Sequence, residues 1–112
     1  MATASLGLPG SGIKTIPIGY VQIAALGSGA GGSGLPLSSV SGTATICLIT
    51  CEGSGIRWRD DGVAPTQSIG FPLNSGDSLL YGGTLTAFLM IPQSGAPTVD
   101  ISFYRVTPSN FP

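Results

Sequence analysis

The densest group of side chains that could do chemistry lies at residues 57–61, where the sequence reads RWRDD. Arg and Trp are enriched at the energetic centres of protein interfaces, so this stretch could be a recognition patch. It could also be structural, with an Arg paired to a nearby Asp to pin a turn while the Trp fills the core, and this second interpretation is favoured. The candidates for an interface or for pinning the turn are Arg57, Trp58, Arg59, Asp60, Asp61 and Asp77.

Metal binding and catalysis are both disfavoured by the residue types present. Three of the acids, Asp60, Asp61 and Asp77, could offer oxygen ligands to calcium, but they lack EF-hand spacing and neighbouring Arg side chains would compete for them. The chain has no His, so no Ser-His-Asp or Cys-His arrangement can be built. A glycosidase needs two carboxylic acids on opposite sides of a cleft, and a small domain with one Glu and four Asp offers little cleft to hold such a pair. The sequence therefore predicts no enzyme, no cofactor and no metal site.

Two cysteines, Cys47 and Cys51, lie in the alternating stretch TATICLITC. Residues four apart in a strand face the same way, about 13 Å from each other, which is too far for a disulfide bond. We expect two reduced thiols in or near the core.

Aromatic residues leave one alternative function open, because a small β-sandwich can bind sugars on exposed aromatic side chains. Trp58, Tyr20, Tyr81 and Tyr104 could supply such a platform. Packing in the core or at an edge is the more common role of each, and the spacing shows no planar row.

Composition narrows the class of protein further. Charged residues make up 8% of the 112-residue chain, against about 25% in an average soluble domain. Four cations are too few for a clustered basic face, so nucleic-acid binding is not expected. The apolar runs are too short for a membrane helix, and the N-terminus lacks the features of a signal peptide, which favours a cytosolic origin. A surface with so little charge suits a protein that is covered by neighbours in an assembly.

Seven or eight short strands separated by turn signals predict an all-β protein, either an antiparallel sandwich or a barrel. Of these two we expect a single antiparallel β-sandwich that is jelly-roll-like. We expect an irregular N-terminal arm over residues 1–12 that either frays or lies on a neighbouring subunit, and one domain over residues 13–112. The Gly/Ser segment 27–34 is expected to be an exposed loop. The predicted strands lie within 13–26 and at 43–51, 55–60, 68–73, 77–82, 84–92 and 98–106.

The alternation within two of these stretches predicts which residues are buried. Residues 43–51 are apolar on both faces, which indicates a central strand with both faces covered. In the strand expected at 84–92, one face carries Leu85, Ala87, Leu89 and Ile91. The predicted core contains Ile46, Leu48, Trp58, Leu85, Leu89, Ile101 and Phe103.

The stretch RWRDDGVAPTQSIGFPLNSGDSLLYGGTLTAFLMI, followed by a short turn and VDISFYR, resembles small virion structural proteins of tailed bacteriophages. The features that carry the resemblance are an R-W-R-D-D-G-x-x-P-T stretch, then G-x-P-L and an L-x-Y strand, over about residues 54–105. The N-terminal half is similar only in character.

The resemblance implies a structural role without catalytic residues, of the kind played by capsid decoration (cement) proteins. Those proteins are small β-sandwiches or jelly rolls that sit as trimers on the outside of the shell. By this resemblance we expect a homotrimer bound to the major capsid protein lattice on the outer capsid surface of a virion assembled in the host cytoplasm. The alternative is a tail- or fibre-associated module that recognises a host surface glycan.

Overall fold

The computed structural model describes residues 13–40 and 43–108, so the predicted N-terminal arm lies outside the described residues. Within these residues, eight strands form the framework of the fold, and single turns of 3₁₀-helix at Leu37–Ser39 and Leu85–Ala87 join some of them. The strands are Ile13–Ile23 (β1), Ser33–Gly34 (β2), Ile46–Glu52 (β3), Ile56–Arg59 (β4), Phe71–Leu73 (β5), Ser78–Tyr81 (β6), Leu89–Pro92 (β7) and Thr98–Pro108 (β8). Within the described residues, no helix is long and apolar enough to cross a membrane.

The strands form two four-stranded antiparallel sheets, in the orders β1-β8-β3-β6 (sheet A) and β2-β7-β4-β5 (sheet B). The first strand pairs with the last, the second with the seventh, the third with the sixth and the fourth with the fifth. This is the pairing of one long antiparallel ribbon, which is then rolled up so that β8 also meets β3 and β7 also meets β4. An eight-stranded ribbon rolled in this way is a jelly roll. The predicted antiparallel β-sandwich is therefore confirmed.

Because the ribbon is rolled up, each connection between strands lies at one of the two ends of the sandwich. One end, which we call the terminal end, carries both ends of the described chain, because Ile13 lies opposite Pro108. It also carries the connections 35–45, 60–70 and 82–88. The other end, which we call the distal end, carries the connections 24–32, 53–55, 74–77 and 93–97. The three short distal connections cross between the sheets and fix their relative orientation.

The core lies between the inner faces of the two sheets. Sheet A contributes alternate residues of β3 and β8, and sheet B contributes Ile56 and residues of β7. Phe88, in the connection 82–88, closes the core at the terminal end. The side chains with no exposed surface are Cys47, Ile49, Ile56, Phe88, Met90, Val99, Ile101 and Phe103.

The predicted core is right in part. Leu85, Ile101 and Phe103 are buried, and Trp58 is half-buried and packs against the core. Ile46, Leu48 and Leu89 are only half-buried. The first two lie on the outer face of sheet A, because β3 points its cysteines and Ile49 inward. The expectation that both faces of this strand are covered is therefore wrong within one chain.

The strand predicted at 84–92 also needs correction. A turn of 3₁₀-helix occupies Leu85–Ala87, and the strand begins only at Leu89. The turn breaks the two-residue period, so Phe88 and Met90, which the pattern placed on the face opposite Leu85, are fully buried together with it.

Candidate interaction surface at the terminal end

Strand β4 positions the central residues of the RWRDD stretch. Ile56 points into the core, and Trp58, two residues later, lies on the same side of the strand at the edge of the core. The Trp58 ring stacks on Phe88 with centroids 5.1 Å apart and an interplanar angle of 17°. It also contacts Tyr81 at 5.6 Å and Phe71 at 5.0 Å. Trp58 therefore joins the core to the exposed edge strand β5.

Arg57 holds the connection between β4 and β5, residues 60–70. Its Nε donates to the Gln67 carbonyl at 3.1 Å and its Nη1 donates to the Gly70 carbonyl at 2.9 Å. Thr66 Oγ1 accepts the Ile69 N–H at 3.0 Å, which closes a tight turn before Gly70. Gly70 has a φ of 138°, and a Cβ there would press on Arg57 and Pro65, so glycine is required. The loop is fixed by its own hydrogen bonds.

Arg59 and Asp61 form an ion pair at the start of the same loop. Arg59 Nε donates to Asp61 Oδ1 at 3.0 Å, and Nη2 donates to the other carboxylate oxygen. The hydrogen bond to Arg59 lowers the pKa of Asp61, and the same bond raises the pKa of Arg59. The two charges therefore largely neutralise each other on the protein surface.

Asp60 takes a different partner, Tyr81. The Tyr81 hydroxyl donates to Asp60 Oδ2 at 2.7 Å and lies 3.3 Å from the Thr84 carbonyl. Burial, followed by the hydrogen bond to Asp60, raises the pKa of Tyr81 to about 12. This contact ties the loop that follows β4 to the end of β6 in the other sheet.

Asp77 lies apart from the other five candidates. It precedes β6 at the distal end, where its backbone N–H donates to the Asn74 carbonyl at 3.0 Å. The structure therefore brings Arg57, Trp58, Arg59, Asp60 and Asp61 together and leaves Asp77 out. Within residues 13–40 and 43–108, no group of three His, Cys, Asp or Glu residues could hold a metal ion.

Three large apolar side chains in and beside this loop are exposed to solvent. Val63 is 51% exposed, Ile69 57% and Phe71 62%. Ile69, Gly70 and Phe71 face the ion pair across an open groove of about 360 Å³, which Asp60 also lines. We call Val63, Ile69 and Phe71 the apolar rim. The sequence does not predict this rim, because residues 68–73 are expected to form a strand, whereas the strand begins only at Phe71 and leaves Ile69 in the loop.

The aromatic platform proposed for sugars does not form in the described chain. Tyr81 and Tyr104 are only 6% and 7% exposed. Tyr20 is 60% exposed, but it lies on the outer face of sheet A, whereas Phe71 lies on the edge strand of sheet B. The exposed aromatic rings therefore belong to different surfaces.

Tyr20 belongs to a polar group on sheet A, where its hydroxyl donates to Asp100 Oδ1 at 2.5 Å. Gln22 Nε2 donates to the same oxygen at 2.8 Å. Glu52 also neighbours Asp100, and their interaction raises the pKa of Glu52 while it lowers the pKa of Asp100. Next to this group, Tyr20, Ser102, Leu48 and Leu80 form one row across the four strands, and Leu80 is 46% exposed.

The two cysteines are free and buried, as their spacing predicts. Burial raises the pKa of Cys47 to about 12 and that of Cys51 to about 11. A thiol that stays protonated at neutral pH is a poor nucleophile and a poor metal ligand. Both cysteines act as core residues.

Comparison of the chain with protein-family models, with curated proteins and with solved structures found no match.

Proposed function

We propose that the protein is a non-enzymatic structural component of a bacteriophage particle, a decoration (cement) protein that binds the assembled head as a trimer. The observation that carries the proposal is the apolar rim, in which three large apolar side chains are exposed in and beside a loop that hydrogen bonds from Arg57 hold in place. A loop fixed before binding loses little conformational entropy when a partner covers it.

The fold and composition support the same proposal. Viral capsid proteins use the jelly roll, although lectins and other proteins use it too, so the fold alone does not decide. Only 8% of the residues are charged, so few charged groups keep the separate chain soluble, and few must be desolvated when neighbours cover its surface. Binding that occurs only on the assembled shell would stabilise the shell by mass action.

The test is co-sedimentation with particles assembled from the genome that encodes the chain after its reading frame has been deleted. The mass of the purified protein is measured first by light scattering. A trimer that pellets with the particles and raises their melting temperature supports the proposal. A protein that remains in the supernatant over micromolar concentrations contradicts it.

A glycan-binding module of the tail or fibre is the second candidate, and the groove beside Phe71 favours it. The groove places an exposed aromatic ring near two carboxylates, Asp60 and Asp61, a combination that suits a sugar's apolar face and hydroxyl groups. Glycan-array binding that is lost in Phe71→Ala supports this candidate. Absence of binding across the array rejects it.

A further inference from the structure

The charges of the chain are divided between the two ends of the sandwich. The four cations and two of the acids lie toward the terminal end, on β4, on its loop and on the last residues of the β1–β8 pair. Glu52, Asp77 and Asp100 lie in the distal half, where Asp100 is opposite Thr50 and Asp77 precedes Ser78. In a molecule 48 Å long, this separation makes one end basic and the other acidic.

Two cations at the terminal end lie on a ribbon that extends past the sandwich. β3 begins at Ile46, opposite Tyr104, so beyond that level only β1 and β8 pair. On this ribbon, Lys14 lies opposite Thr107, and Arg105 lies opposite Ile16. Lys14 and Arg105 are thus diagonal neighbours on one face, about 7–8 Å apart at their backbones. Both are exposed, and neither forms an ion pair with another described residue.

Thr45 supports this ribbon from the side of β3, because its Oγ1 accepts the Val106 N–H at 2.9 Å. Two like charges side by side still weaken the pairing of β1 with β8. A partner that carries carboxylates would offset this repulsion. The apolar rim lies at the same end of the molecule, since the loop 60–70 is one of the terminal connections. Cationic charge and the apolar rim therefore meet at one end, whereas the distal half carries the acidic group with the exposed Tyr20 beside it.

We propose that the terminal end is the docking end, and that it binds a protein surface on which carboxylates flank an apolar patch. Lys14 and Arg105 face those carboxylates, and the apolar rim covers the patch. The proposal rests on the proposed function, because the partner it commits to is the outer surface of the assembled shell. It implies that the distal end, with Glu52, Asp77 and Asp100, points away from the shell.

The experiment repeats the co-sedimentation with three double variants of the full chain. Lys14→Glu with Arg105→Glu reverses the ribbon charges, and Ile69→Ser with Phe71→Ser makes the rim polar. Glu52→Lys with Asp77→Lys is the matched control, since it reverses the same number of exposed charges at the distal end. All six positions are on the surface, and urea unfolding checks that each variant is folded.

We expect both terminal variants to bind the particles about tenfold or more weakly, which is the loss expected when central contacts of an interface are removed. The distal control is expected to bind within about twofold of the unchanged protein, as surface positions outside an interface do. Raising the salt concentration from about 0.05 to about 0.3 M should weaken binding of the unchanged protein, and the ribbon variant should lose this dependence.

Unchanged binding by both terminal variants overturns the inference, whether the distal control keeps or loses its binding. If the unchanged protein does not pellet with the particles, the proposed function fails. Sedimentation of the purified protein and of the three variants then shows whether the terminal end binds another copy of the chain. Self-association that only the terminal variants lose would make this end an interface between copies and overturn docking to a shell. A monomer at all concentrations would overturn the docking end altogether.

Discussion

Replacing Trp58 with Ala tests how the edge of the core is built. A Trp side chain buries about 150–250 Å², and Trp58 is half-buried, so about 100 Å² of contact is lost. At about 25 cal/mol per Å², this is about 2.5 kcal/mol. The stacked contact with Phe88 adds about 0.5–1.5 kcal/mol. We expect the free energy of unfolding to fall by about 3 kcal/mol.

The assay is equilibrium unfolding in urea, followed by far-ultraviolet circular dichroism because the variant has lost the chain's only Trp. With a urea dependence of about 1–3 kcal/mol per molar, the midpoint should fall by about 1–3 M. Trp58→Phe should lose less, because it keeps a ring against Phe88. Ile69→Ala, at an exposed position, should change the free energy by no more than about 0.5 kcal/mol. A loss below about 1 kcal/mol in Trp58→Ala would refute the packing described here.

Three further predictions concern backbone fit and protonation. Gly55→Ala should destabilise the fold by about 2 kcal/mol or more, because a Cβ there would overlap the Leu73 carbonyl oxygen, whereas Gly29→Ala, which meets nothing within 4 Å, should not. The free energy of unfolding should fall above pH 9, because the two buried thiols keep raised pKa values in the fold and ionise earlier when unfolded; urea titrations at pH 8 and 10 measure this, and a flat dependence contradicts it. Glu52→Gln should stabilise the protein at pH 7, because Asp100 raises the pKa of Glu52 in the fold and so disfavours its charged form. This gain in the free energy of unfolding over the unchanged protein should shrink as the pH falls through that raised pKa. A gain that is the same at pH 7 and pH 4 would contradict this cause.

The fold class follows from the sequence because turn residues and two-residue alternation are local signals. Ile101 and Phe103 belong to a stretch that alternates without interruption, and their burial matches the prediction. The strand predicted at 84–92 is wrong for a local reason, because one turn of 3₁₀-helix at Leu85–Ala87 shifts the phase of the alternation. None of the three residue types in LTA predicts such a turn. The order of the strands depends on contacts between residues far apart in sequence, so no short pattern contains it.

The sequence predicts which residue types form the candidate site, but it does not predict most of the contacts that these residues make. The Arg and Asp residues of RWRDD lie one to four positions apart, and this closeness is enough to suggest an ion pair such as that between Arg59 and Asp61. Arg57, by contrast, binds backbone carbonyls ten and thirteen residues away, and its partners carry no sequence signal. The group around Asp100 joins residues from β1, β3 and β8, and only the register of these strands brings them together.

The pairing of β1 with β8 has a consequence for the way the chain is made. Ile23 leaves the ribosome long before Val99, its partner, so β1 cannot pair until β8 has been synthesised. The pair of β4 and β5 joins the strands that are closest in sequence, so its closure costs the least chain entropy, and this cost rises through the pairs 3–6, 2–7 and 1–8. Until then, β1 is an unpaired apolar strand that other nascent chains could join. Pro17, which lacks an N–H, and the irregular register between Pro17 and Gly19 interrupt that edge and make such misjoining less favourable.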